Sequence, residues 1–191
     1  MKPGRRRLVL GGAAIAAATR LASAQSADRA LRLAILSEAN EATRRQGWKT
    51  LFGRLAELGY VEGRNLAVES RHANGDPSKL PGLAAELVAW RPDVIVAVTT
   101  PAALAAKNAT TTIPVVFVGP ADPVGSGLVP NLGRPGGNVT GFSPMQAEIG
   151  GKWIELLREL APGLKRAAYL TDTGNGGEML VFEQIRLRAS S

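Results

Sequence analysis

Apolar positions along this chain fall into two periods. Short apolar runs at 31–36, 66–69, 94–98 and 115–118 read as strands, the last two, bracketed by Pro, Gly and Asp, as parallel strands buried on both faces. Between the first two the period lengthens. Trp48, Leu51, Phe52, Leu55 and Leu58 recur at spacings of three and four, which predicts a helix over 44–58 with one apolar stripe and Gly59 as its stop. Asp76-Pro77 opens a second helix, with Asp76 as N-cap and Pro77 at its first position. Leu80, Leu83, Ala84, Leu87 and Val88 form its buried face, and Pro92 forbids its continuation. An alanine-rich helix beginning near Pro101 joins the last two strands. Strands alternating with helices of this length predict an α/β fold, a three-layer sandwich around a mostly parallel sheet.

Beyond residue 118 the pattern loosens. Gly125, Gly127, Gly133, Gly136 and Gly137, with Pro123, Pro130 and Pro135, make a long turn-rich segment ahead of 139–142, where the chain is expected to leave the first sheet. A helix over 150–160 follows, with Trp153, Leu156, Leu157 and Leu160 on one side, then a strand over 166–170, a loop over 173–177 and a helix over 178–187. A helix, a strand and a helix cannot bury a core alone. The organisation expected is an N-terminal α/β lobe over 25–142 and a partial, incomplete second lobe over 143–191, with an apolar surface left exposed near Trp153 to Leu170.

Charge changes the picture only at the start of the chain. The formal net charge of +7 suggests a nucleic-acid partner until it is located: Lys2, Arg5, Arg6, Arg7 and Arg20 precede residue 25 and no acid does. Setting those five of 23 basic residues aside leaves 18 against 16 acidic ones, which is no footprint for a phosphate backbone. The same segment reads as a signal peptide over 1–24, with a basic start, an apolar run from Leu8 to Ala18 and an A-x-A site at Ala22-Ser23-Ala24. A bilayer-spanning helix needs about 20 apolar residues, more than this run supplies. Arg5-Arg6-Arg7 also fits a twin-arginine signal. A chain without cysteine carries no lipid attachment site or disulfide, so an exported, periplasmic protein is expected.

Candidate chemistry gathers at strand ends, where open α/β sheets bind ligands. Ser37, Thr99, Thr100 and Asp122 sit just past three of the predicted strands. The helix near Pro101 offers free backbone N–H groups and a positive dipole end for a carboxylate, beside the hydroxyls of Thr99 and Thr100. Asp122 would accept a charge-assisted hydrogen bond from an ammonium. Together they fit an amino acid or a similar zwitterion. Plainer roles stand beside these: Thr100 as a helix N-cap, Asp122 as a turn initiator before Pro123, Ser37 as a loop cap. Thr140, a further candidate contact, lies in Thr140-Gly141, which reads either as a hinge between lobes or as a tight turn. Trp48, Trp90 and Trp153 read as core or interface.

An enzyme is the main rival reading. Yet no G-x-G-x-x-G follows the first strand, and neither a P-loop nor a G-x-S-x-G elbow occurs. His72 is the sole histidine and is expected on the surface, which leaves no credible metal cluster or Ser-His-Asp triad. No catalytic residue, metal or cofactor is therefore expected.

Seven segments in combination resemble one family: LGYVEGRN at 58–65, LAAELV at 83–88, PDVIV at 92–96, TPAALAAK at 100–107, TIPVVF at 112–117, DPVGSGLV at 122–129 and RPGGNVTG at 134–141. They are similar to the substrate-binding components of ABC transporters, of the tryptophan-type group with a type I periplasmic-binding fold. The resemblance runs over about 31–170. It implies a bilobed monomer that captures a small-molecule solute, such as an aromatic or other amino acid, and hands it to a membrane permease, with no nucleic-acid partner. The chain departs from the family in length, so a truncated remnant of weak or absent affinity is an alternative. The sensor core of a transcription regulator shares this kind of lobe, but the export signal and the missing helix-turn-helix argue against it.

Overall fold

The computed structural model describes residues 29–144 and 146–190, and the side chains of all of these except 43–46. The expected signal segment over 1–24, with its cleavage site, lies outside the described residues, as do the side chains of Arg44 and Arg45, expected on a solvated face. Five strands form one sheet: β1 (Leu31–Ser37), β2 (Leu66–His72), β3 (Val94–Val98), β4 (Val115–Val118) and β5 (Val139–Phe142). Their spatial order is β2-β1-β3-β4-β5, and every neighbouring pair is parallel. The helices are α1 (Glu41–Glu57), α2 (Leu80–Ala89), α3 (Thr100–Ala109), α4 (Ile149–Leu160) and α5 (Gly176–Ala189).

Side chains alternate between the two faces of each strand, and both faces are covered. Leu33, Ile35 and Leu66 meet Trp48, Phe52 and Leu55 of α1 on one side. Ala34, Leu36, Ile95, Ala97, Val115 and Phe117 meet Leu80, Ala84 and Leu87 of α2 and Ala102, Ala103 and Ala106 of α3 on the other. This is the three-layer sandwich the alternation predicts, with α1 forming one outer layer and α2 and α3 the other. The small residues of α3 let it lie close on the sheet, so its N-terminus falls beside the strand ends. Asp76 caps the turn before α2 as expected, accepting from the backbone N–H of Ser78 at 3.1 Å. A short 3-10 turn over Pro77–Lys79 then precedes the helix proper.

Three expectations need correction. Residues 139–142 do not leave the sheet: they are β5, and Val139 sits in the same core as Val115 and Phe117. Gly141 makes that pairing possible, because a Cβ there would stand 2.6 Å from the Phe117 ring and closer still to its carbonyl. The strand expected over 166–170 is not formed. That segment has no ladder partner, and Leu170 is 99% exposed. Backbone groups that find no neighbouring strand turn to water instead. His72, expected on the surface, is half-buried as the last residue of β2, opposite Ser37, with its Nδ1 3.2 Å from the Ala39 carbonyl.

Helices α4 and α5 pack on each other through Gly150, where a Cβ would meet the Val181 carbonyl at 2.5 Å. Ile154 and Val181 are buried between them. The stripe expected on α4 is only partly covered: Trp153 packs against Tyr169, which stacks on Phe182, while Leu156 and Leu160 are exposed. Leu157, Leu164 and Leu170, in the stretch where exposed apolar residues are expected, are exposed as well.

Candidate functional site

All five strands run the same way, so their carboxyl ends share one edge, the place where open α/β sheets bind ligands. The order β1-β3-β4 makes the exits of those three strands neighbours. Ser37, Thr99, Thr100 and Asp122 are therefore brought to one rim.

Ser37 ends β1 in register with Val98 and is fully buried, and its Oγ has no hydrogen-bond partner among the described residues. Thr100 is the first residue of α3, 1% exposed, and its Oγ1 also lacks a partner among the described residues. Buried hydroxyls are almost always satisfied, and leaving one unmade costs about 1–3 kcal/mol. Two such groups at the ends of adjacent strands are an unusual pair.

Thr99, and not Thr100, occupies the N-cap position of α3, and its side chain does not cap the helix. Instead the Thr99 hydroxyl donates to Glu38 Oε2 at 2.9 Å. The positive end of α3 is thus left without a side-chain cap, an end whose dipole favours an anion. Thr99 has φ 84° and ψ 163°, a region that non-glycine residues avoid at a cost of about 1–3 kcal/mol. Asp122 also has positive φ, 41°, and it fills the turn role: its Oδ1 accepts from Gly125 N at 2.9 Å and its carbonyl from Ser126 N at 2.9 Å. Thr140 stands apart. It is an interior residue of β5, opposite Val116, and exposed.

The N-terminus of α5 closes over this rim. A Cβ on Gly177 would lie 2.6 Å from Thr100 Oγ1 and closer still to the Ala121 carbonyl. Asn175 caps the helix, accepting from Gly177 N at 3.2 Å and Glu178 N at 3.4 Å. Glu178 reaches back to the Thr171 hydroxyl at 2.9 Å and ties the preceding loop to the helix. Beside the rim, on the α1 face, Trp48, Leu51, Val96, Val98, Val116 and Val118 line an apolar recess of about 270 Å³. Sequence reasoning missed Glu38, Asn175 and Gly177. The spacing of Asn175 and Glu178, N-x-x-E, was the available signal for a capped helix start.

Among the described residues no three His, Asp or Glu side chains converge as a metal site would require. The rim offers hydroxyls, an uncapped helix end and carboxylates, the equipment for holding a polar solute. The sequence profile described as ABC transporter substrate binding protein matches residues 33–190. The chain belongs to that family. Its members bind substrates for transport and are not enzymes, which removes the enzyme reading.

A tyrosine-binding protein of Clostridioides difficile strain R20291 is 36% identical over 119 residues, covering 62% of this chain and 34% of that protein. Two solved relatives share the fold. A conserved domain protein of Vibrio cholerae O1 biovar El Tor superposes with a TM-score of 0.76 at 32% identity, covering 85% of this chain and 54% of that one. An ABC domain from Streptococcus pneumonia in complex with L-Trp gives 0.73 at 28%, covering 84% and 54%. The chain thus spans about a third of the curated relative and about half of each solved one. Among the described residues no helix is long and apolar enough to cross a membrane.

Proposed function

We propose that this substrate-binding family member captures a small amphipathic zwitterion, an aromatic amino acid by preference, at the rim formed by Ser37, Thr99, Thr100 and Asp122. The loop and helix over 171–178 cover it from the other side. The observation that carries the reading is the pair of buried, unpartnered hydroxyls, Ser37 Oγ and Thr100 Oγ1, beside an uncapped helix N-terminus. Those groups suit a carboxylate, and the recess lined by Trp48 and Val98 suits an apolar ring. Binding of L-Trp and tyrosine by relatives supports the same class.

On this reading the division near 142 separates a first lobe from the start of a second, and closure of one on the other holds the solute. Delivery to a membrane permease, export through the segment over 1–24, a periplasmic location and a monomeric state complete the proposal. Thr140, outside the rim, is assigned to the approach to the hinge and not to direct contact.

Calorimetric titration of the chain with L-tryptophan and L-tyrosine, carried to millimolar concentration, tests it. Thr100→Val removes the hydroxyl and keeps the shape. Affinity is expected to fall about tenfold, since a hydrogen bond to a charged group contributes about 1.5–3 kcal/mol. The melting temperature of the free protein is expected to hold or rise, because an unmade buried group has gone. Unchanged affinity in Thr100→Val contradicts the assignment.

A further inference from the structure

Two dipeptides meet at the centre of the rim, Ser37-Glu38 leaving β1 and Thr99-Thr100 leaving β3. In each, one side chain is a buried hydroxyl without a partner and the other belongs to a single bond, Thr99 Oγ1 donating to Glu38 Oε2 at 2.9 Å. Glu38 is half-buried and forms no ion pair among the described residues. A carboxylate drawn partly out of water with one neutral donor for company is an incomplete arrangement, and a cation brought beside it completes it.

Asp122, the other carboxylate of the rim, is placed differently. Its Oδ1 closes its own turn by accepting from Gly125 N. A Cβ added at Gly125, the residue packed on that carboxylate, would also stand 2.9 Å from Leu180 of α5. An apolar side chain therefore lies close to that carboxylate, which already has a backbone donor. Thr99, meanwhile, holds an unfavourable backbone conformation while its hydroxyl is turned away from the helix and toward Glu38. The strain and the hydrogen bond act on one object, the orientation of the Glu38 carboxylate.

We infer that Glu38, oriented by Thr99, is the acceptor for the positively charged group of the solute. It makes the rim selective for ammonium-bearing zwitterions over the corresponding carboxylates without nitrogen. The uncapped end of α3 and the Thr100 hydroxyl take the anionic end of the same molecule. This assignment rests on the solute-binding reading above and adds the residue that reads the cation.

The test uses two probes that differ only in the ammonium, L-tryptophan and indole-3-propionate, titrated calorimetrically into the full chain and into Glu38→Gln. The amide oxygen of Gln still accepts from Thr99, so the local geometry is kept. Wild type is expected to prefer L-tryptophan by about ten- to a hundredfold, the range for one charge-assisted hydrogen bond. Glu38→Gln is expected to erase that preference, with indole-3-propionate affinity changed by less than about threefold and the ligand-free melting temperature unchanged.

Retention of the preference in Glu38→Gln overturns the assignment while leaving the solute site standing. So does its loss in Asp122→Asn alone. Equal weakening of both probes together with a lower ligand-free melting temperature overturns it as well, by showing a structural role. Failure of L-tryptophan to bind wild type overturns the solute-site reading itself, and the Glu38 assignment with it.

Discussion

Thr99 carries two opposed contributions in one residue. Its backbone costs about 1–3 kcal/mol in a region glycine alone enters freely, while its hydrogen bond to the Glu38 carboxylate offsets about 1.5–3 kcal/mol. Thr99→Gly, which removes both, is therefore expected to leave the melting temperature close to that of wild type in a calorimetric scan, and to weaken solute binding by freeing the Glu38 carboxylate. A clear fall in melting temperature would mean that the hydrogen bond outweighs the strain, contradicting this balance. Gly177 works by absence. A side chain there collides with Thr100 Oγ1 and the Ala121 backbone, so Gly177→Ala is expected to destabilise by about 1–3 kcal/mol in urea unfolding, as overpacking does. Full stability in that variant would show that α5 does not rest on the rim. Ser37, Thr99, Thr100 and Asp122 were legible in the sequence because small polar residues directly follow apolar runs. Glu38 and Gly177 were not, since their roles depend on neighbours 61 residues away in one case and on the docking of a distant helix in the other.

At the scale of elements, β1 to β4 and the first three helices follow from periodicity and caps, because each buries a stripe or face that its own sequence declares, while the stripe that marks α4 is buried only in part. Strand β5 was hidden by the turn-rich segment before it, and what places it is the long-range fit of Gly141 to Phe117. The segment over 166–170 has strand composition and no partner, and composition alone cannot supply one. Helix α5 starts at Gly176 under its Asn175 cap, two residues earlier than the apolar period suggests. Asn175→Ala is expected to cost about 1 kcal/mol, the usual loss for an N-cap. A loss near zero in chemical denaturation would contradict the cap.

The α4–α5 pair is also bridged by charge. Lys152 first, and then Arg188 of α5 at 2.6 Å, hold the Glu155 carboxyl below the usual carboxylate range. A lowered acid stabilises the fold above its ordinary titration range, and the contribution disappears as pH falls through the depressed value. The pairing is therefore expected to loosen in acid. Glu155→Gln should flatten the acid-side decline of stability followed by tryptophan fluorescence, and an identical decline in the variant would exclude this contact as its source.

On the scale of the whole molecule, a five-stranded parallel sheet aligns three strand exits, and a helix pair following the sheet returns its N-terminus to them. Open α/β sheets bind ligands at such an edge, and the chain spans about half the length of its solved relatives. The central claim is that this rim, and no other surface, receives the solute. Amide chemical shifts recorded by two-dimensional NMR during titration with L-tryptophan test it most directly. Progressive shifts confined to Ser37, Glu38, Thr99, Thr100, Ala102, Ala121, Asp122 and the start of α5 are the expected result. Shifts centred elsewhere, or none at millimolar ligand, would contradict it.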